Sequence, residues 1–130
     1  MSGTMQSQVS FVGSPFGLEP RVEFVLDEIV GATGLYALRS ADADDDVRLF
    51  VLDAAVHLPH YSPVVTDEQT TLLGLTEADD AMLLVVATPA SSGMTVNLLA
   101  PIVVNRLTGA GAQLILEGQD WPLRAELDPR

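Results

Sequence analysis

The stretch Thr95-Val96-Asn97-Leu98-Leu99-Ala100-Pro101-Ile102-Val103-Val104-Asn105 decides the fold class. It reads as a strand. The turn Thr108-Gly109-Ala110-Gly111 follows it, and then a second strand-like run, Ala112–Glu117. Two such runs joined by a short glycine-containing turn form a hairpin. Pro101 has no N–H to give to a ladder, so it belongs at a bulge or on an edge. Asn97 and Asn105 lie eight residues apart and share a face if the strand is regular.

Working outward, the same signal repeats. Met82–Ala87 is a continuous apolar run, as expected of a strand buried on both faces. Leu35–Leu38 and Val47–Leu52 flank Ala41–Asp46, a segment too acidic for anything but a solvated hairpin tip. In Arg21–Leu26, Val22, Phe24 and Leu26 alternate with Arg21, Glu23 and Val25. Gln8–Val12 is short and β-prone, and the glycine and proline of Gly13–Gly17 make a turn after it. Leu123, Ala125 and Leu127 alternate in a last edge strand. Thr66-Asp67-Glu68-Gln69 has the form of a capping box, and Gly74 stands where a short helix ends. His57–Pro63, with two prolines, reads as irregular. The expected product is mainly β: a small antiparallel β-barrel-like domain with one or two short helices. It is read as a single domain over residues 1–130, with a short, irregular N-terminal segment at residues 1–10.

Composition narrows the function. The chain has 130 residues and a net charge of −12, with no cysteine. Disulfide, thiolate-zinc, iron–sulfur and cysteine-nucleophile chemistry are excluded. The acidic balance disfavours direct binding to nucleic acid or to an anionic membrane, and it favours a basic partner. The Met1–Val9 start shows neither a basic n-region nor an apolar h-region, and no apolar run approaches the length of a membrane span. A cytoplasmic protein is the expectation.

Few residues suggest chemistry. Asp42, Asp44 and Asp46 alternate like the first ligands of a calcium loop, but Val47 stands where that loop needs glycine. Asp53, His57 and His60 could hold a metal for hydrolysis, although Pro59 separates the two histidines. Ser14 is not central in its glycine-containing segment, so a nucleophile elbow is absent. Gly109 and Gly111 precede no helix that could receive a phosphate. Trp121, before Pro122 and next to an edge strand, suits edge packing or a half-exposed contact. No catalytic residue and no cofactor are expected.

Thr95–Asn105 also closely resembles the signature of the flagellar assembly factor FliW family: Thr-x-Asn-Leu, one residue, then Ala-Pro-Ile-x-x-Asn. Gln113-Leu114-Ile115-Leu116 matches the family's Gln-x-Ile-Leu. Leu35–Ser40, Leu49–Asp53, Tyr61 and Gly13–Glu19 resemble further family segments. Arg39 stands where glutamine is usual, Ala54 where a proline often follows, and the C-terminal Arg-His pair is replaced around Trp121, Arg124 and Ala125.

The resemblance implies a protein-binding regulator rather than an enzyme. Such a protein binds and antagonises CsrA, a small basic RNA-binding dimer that represses flagellin translation. It also binds flagellin, so that flagellin is made as it is exported. A flagellin-binding chaperone without CsrA binding is the alternative, and a hydrolase built on Asp53, His57 and His60 is the remote one. Asn97, Pro101, Asn105, Asp44, Asp45, Asp46 and Trp121 are the candidate partner-binding residues. For the asparagines, the competing reading is that they satisfy local backbone groups.

Overall fold

A computed structural model describes residues 6–127, apart from 16, 43–46, 59–60, 62, 91–92, 117 and 123. The strands are β1 (Gln6–Phe11), β2 (Glu23–Glu28), β3 (Leu35–Ser40), β4 (Arg48–Asp53), β5 (Ala81–Ala90), β6 (Gly93–Val96), β7 (Ile102–Asn105), β8 (Ala110–Gln113) and β9 (Ala125–Leu127). Two short helices, α1 (Ala54–His57) and α2 (Asp67–Leu72), and a 3₁₀ turn at Ala78–Asp80 lie between β4 and β5.

The sheet closes on itself. Strands run in the order β4-β3-β2-β1-β8-β7-β5-β6-β9, and β4 also pairs with β5. A seven-strand barrel results, with β6 and β9 as a flap beyond β5. The hairpin expected around the acidic tip is present, with Leu38 opposite Leu49 and Tyr36 opposite Val51. The expected antiparallel order has one exception. β1 and β8 pair in parallel, through Ser10 with Ala110 and Phe11 with Gly111. Local patterning carries no information on that pairing, because its partners lie a hundred residues apart.

Alternation places the core. Val9, Phe24, Leu26, Leu38, Val51, Leu84 and Ile102 fill the barrel, and Phe11 meets Phe24 edge-to-face at 5.3 Å. Burying each such side chain stabilises the fold by about 1.5–3 kcal/mol. Met82–Ala87 does bury both faces. Met82 and Leu84 point into the barrel. Val85 and Ala87 join an outer cluster under β6 with Leu52 and Val96. Leu83 packs in a second outer cluster, beneath α2, with Leu73, Val103 and Leu114.

Three expectations are corrected, and one helix enters that no sequence signal announced. Thr95–Asn105 is not one strand: it splits into β6 and β7 around a bend at Asn97–Pro101. Asn97 and Asn105 therefore share no regular strand face. The second run pairs as Ala110–Gln113 rather than Ala112–Glu117. Residues 6–10 lie in the regular strand β1, paired along their length with β2 and joined to β8 from Ser10 on, and not in an irregular segment. The chain after Asp53 turns into α1, because the Asp53 carboxylate accepts the Ala55 N–H at 3.0 Å and caps the helix.

The parallel seam demands glycine. A Cβ on Gly111 would stand 2.8 Å from Val9 Cγ1 inside the barrel. Gly111→Ala is expected to lower stability by about 1–3 kcal/mol through overpacking. A urea midpoint equal to that of the parent would show that the seam has room to spare.

Candidate interaction surface

The bend between β6 and β7 is held by its own polar groups. The Leu99 and Ala100 N–H groups donate to Asn97 Oδ1 at 3.1 and 3.0 Å. The Asn97 N–H bonds the Val86 carbonyl, and the Leu98 N–H bonds the Pro122 carbonyl. The carbonyls of Leu99 and Pro101 accept from Leu116 and Leu114. The carbonyl of Ala100 takes Gln113 Nε2 at 3.1 Å. The Tyr61 hydroxyl donates to the Leu98 carbonyl. Pro101 is buried where no ladder N–H is called for.

Asn105 is 1% exposed. Its Nδ2 donates to the carbonyls of Leu73 and Gly74 at 2.9 and 3.3 Å, and its Oδ1 accepts the Leu107 N–H at 2.8 Å. It thereby ties the end of α2 to the barrel. The Asn97 side-chain oxygen and both ends of the Asn105 amide are thus engaged within the chain, and both residues serve the geometry of this region.

Trp121 stands at the edge of the same region. Its ring meets Tyr61 edge-to-face at 4.7 Å, with planes at 84°, and its Nε1 donates to Gln119 Oε1 at 3.3 Å. Gln119 in turn pairs with the backbone of Val64 in both directions, at 3.0 and 3.1 Å. Trp121 keeps part of its surface in solvent. Asp44, Asp45 and Asp46 lie outside the described residues.

Asp53 and His57 are each engaged within the chain. Asp53 caps α1. His57 Nε2 donates to the Thr33 carbonyl at 2.9 Å. His60 lies outside the described residues. Among the described residues, no three His, Asp or Glu side chains converge.

A cleft of about 540 Å³ opens between α2 and the outer face of the barrel. Leu83 and Val103 form its floor, Val65 and Leu75 its walls, and Thr76 and Glu77 stand among its lining. The capping box is present as read from the sequence. Thr66 Oγ1 accepts the Gln69 N–H at 3.2 Å, and Gln69 Oε1 accepts the Thr66 N–H at 2.8 Å. This box fixes the helix that bounds the cleft. Sequence reasoning did not single out the cleft, because its lining comes from four separate stretches of chain. The position of the capped helix before an apolar strand was the available signal.

Burial pushes the Tyr61 hydroxyl well above its ordinary pKa. Tyr36 is also raised, first by burial and then by the carboxylates of Glu28 and Asp53, against a lowering by Arg106.

A closed barrel whose buried polar side chains brace its own backbone, beside a preformed apolar cleft, defines a small β-barrel domain. The chain belongs to the FliW family: the family model described as FliW protein matches residues 3–127. It is 33% identical over 96 residues to a flagellar assembly factor FliW of Desulfitobacterium hafniense, covering 72% of this chain and 63% of that protein. The chain thus spans under two thirds of that relative's length. A flagellar assembly factor FliW of Clostridium botulinum is 28% identical over 121 residues, covering 92% of this chain and 85% of the other. A crystal structure of the flagellar assembly factor FliW superposes with a TM-score of 0.83 at 26% identity, covering 95% of this chain and 86% of that one. These relatives are flagellar assembly factors. No helix among the described residues is long and apolar enough to cross a membrane.

Two predictions follow from the bracing contacts. Asn105→Ala leaves two carbonyls and a buried N–H without their partner, and it is expected to cost about 2–4 kcal/mol in urea unfolding. A loss under about 0.5 kcal/mol would show that water replaces those bonds. Tyr61 has a raised pKa in the fold, so its contribution is complete below the ordinary value of 10.0 and is lost as pH rises past it. Tyr61→Phe should therefore flatten the fall in stability above pH 10.0, and an unchanged slope would contradict this.

Proposed function

We propose that the protein binds and antagonises CsrA and binds flagellin, in the cytoplasm, coupling flagellin synthesis to flagellin export. Membership of the flagellar assembly factor family is the observation that carries this reading. The charge of −12 supports it physically. A strongly acidic domain meets a small basic dimer faster than a neutral one would. The same charge repels the RNA that CsrA holds, which disfavours a ternary complex and makes the acidic protein a competitor.

Linkage then supplies the switch. If flagellin and CsrA each change the affinity of the domain for the other, the coupling is equal in both directions. Export of flagellin frees the domain, which turns to CsrA and relieves repression. No catalytic step and no cofactor enters this scheme. The acidic tip Asp44, Asp45 and Asp46 belongs to the reading as a steering element for the basic partner. Asn97, Pro101 and Asn105 shape the surface from beneath, and Trp121 contributes its exposed edge to contact.

Calorimetry with CsrA of the same organism at two salt concentrations tests the reading. Tight binding that weakens with salt is expected. No binding at either salt, with flagellin still bound, would leave a flagellin-binding chaperone in its place. Replacing Asp44, Asp45 and Asp46 together with Ser should slow CsrA association about threefold to tenfold at low salt and flatten its salt dependence. An unchanged association rate at low salt would remove the tip from the account.

A further inference from the structure

We propose that the cleft between α2 and the barrel is the docking site for a segment of a basic partner protein, one that presents apolar side chains flanked by lysine or arginine. The inference rests on the proposed function for the identity of that partner.

The floor and walls are apolar. Leu83, Val103, Ala81, Val65, Leu75 and Pro63 enclose about 540 Å³, room for several anchoring side chains. The apolar surface continues outside the cleft. Val64, next to its Pro63–Val65 wall, is 64% exposed, and Leu72, on α2, is 58% exposed. Large apolar side chains exposed beside a cleft mark a place where another molecule is accommodated.

The charged side chain that lines the cleft, and those on the helix and turn that supply or flank its lining, are acidic. Glu77 lines the cleft. Asp67 and Glu68 stand exposed in the first turn of α2, which supplies Thr70 to the lining. Asp79 is exposed in the 3₁₀ turn that follows Glu77. The Asp80 carboxylate accepts the hydroxyl of the lining residue Thr76 at 3.3 Å. No cationic side chain is among the described lining residues. Arg106 comes near, with its N–H on the Asp80 carbonyl, but it lines a different hollow with Gln8 and Thr108. An apolar floor beside Glu77, on segments that also carry Asp67, Glu68 and Asp79, selects a cationic, amphipathic segment and repels an acidic one or a nucleic acid.

The cleft is also fixed before anything binds. The capping box sets the start of α2, Asn105 holds its end, and Gln119 clamps Val64 from both sides. A preformed site loses little ordering entropy on binding.

Two substitutions on the exposed side of the cleft test this without disturbing the core. Thr76→Trp fills the opening, and Glu77→Arg reverses the rim charge. Glu126→Arg, exposed on β9, makes the same charge change elsewhere. Thermal unfolding of all variants checks that each is folded. With CsrA as the probe, Thr76→Trp and Glu77→Arg are each expected to weaken binding about tenfold or more, and Glu126→Arg by less than about twofold. Parental affinity in both cleft variants would overturn the docking site and leave the proposed function standing. An equal loss in Glu126→Arg would assign the effect to net charge and overturn it as well. Loss of flagellin binding alone would contradict the basic occupant. Failure of the parent protein to bind CsrA would overturn the proposed function, and this inference with it.

Discussion

The hydrogen bonds that fill the bend from Asn97 to Pro101 allow one long strand, β5, to serve two neighbours on the same edge. Below the bend, β5 pairs with β7, from Ala81 with Asn105 to Leu84 with Ile102. Above it, β5 pairs with β6, from Ala87 with Val96 to Ala90 with Gly93. A straight partner strand would have carried β7 past the barrel wall. The bend lets β7 turn inward to meet β8, and β8 closes the barrel against β1. An exposed bend could leave its amides to water, but here Ala100 and Pro101 are buried. Each polar group must then find a partner inside the protein, and Asn97, Gln113 and Tyr61 supply those partners. Proline at 101 removes one donor from the count.

The same economy positions the surface. The Tyr61 that satisfies Leu98 also carries Trp121 on its ring and stands at the end of the cleft. The Asn105 that ends β7 holds the last turn of α2. The bracing side chains and the cleft are thus parts of one arrangement, in which the signature residues act from beneath the surface and its neighbours face outward. Charge then decides what approaches. With 18 acidic residues against 6 basic ones, the net charge is negative, and an apolar recess on such a domain suits a partner that brings cations with its apolar anchors.

The sequence made much of this legible. Period-two alternation located Phe24 and Leu26 in the core, the acidic Ala41–Asp46 located a hairpin, and the Thr66–Gln69 spacing located a capped helix. These are local rules, and each holds within a few residues. What escaped was non-local. The parallel seam between β1 and β8 joins residues that no local rule connects, and Gly109 and Gly111, pressed against Gln8 and Val9, bear a trace of it. The split of Thr95–Asn105 was half visible: Pro101 argued for a bulge, but the run of apolar residues on both sides argued for one strand. Helix α1 was hidden because its cap, Asp53, reads equally well as the end of a strand. The cleft was invisible for the same reason as the seam, since Tyr61, Leu75, Leu83 and Val103 come together only in the folded chain.

Hydrogen–deuterium exchange on the protein alone and in the presence of CsrA tests the central claim most directly, because it asks where the partner lies without altering any residue. The account requires slowed exchange in Val64–Glu77, which forms the wall, the helix and the rim of the cleft, with little change in β2 and β3 on the rest of the barrel. Protection confined to β2 and β3, with Val64–Glu77 exchanging as in the free protein, would contradict it.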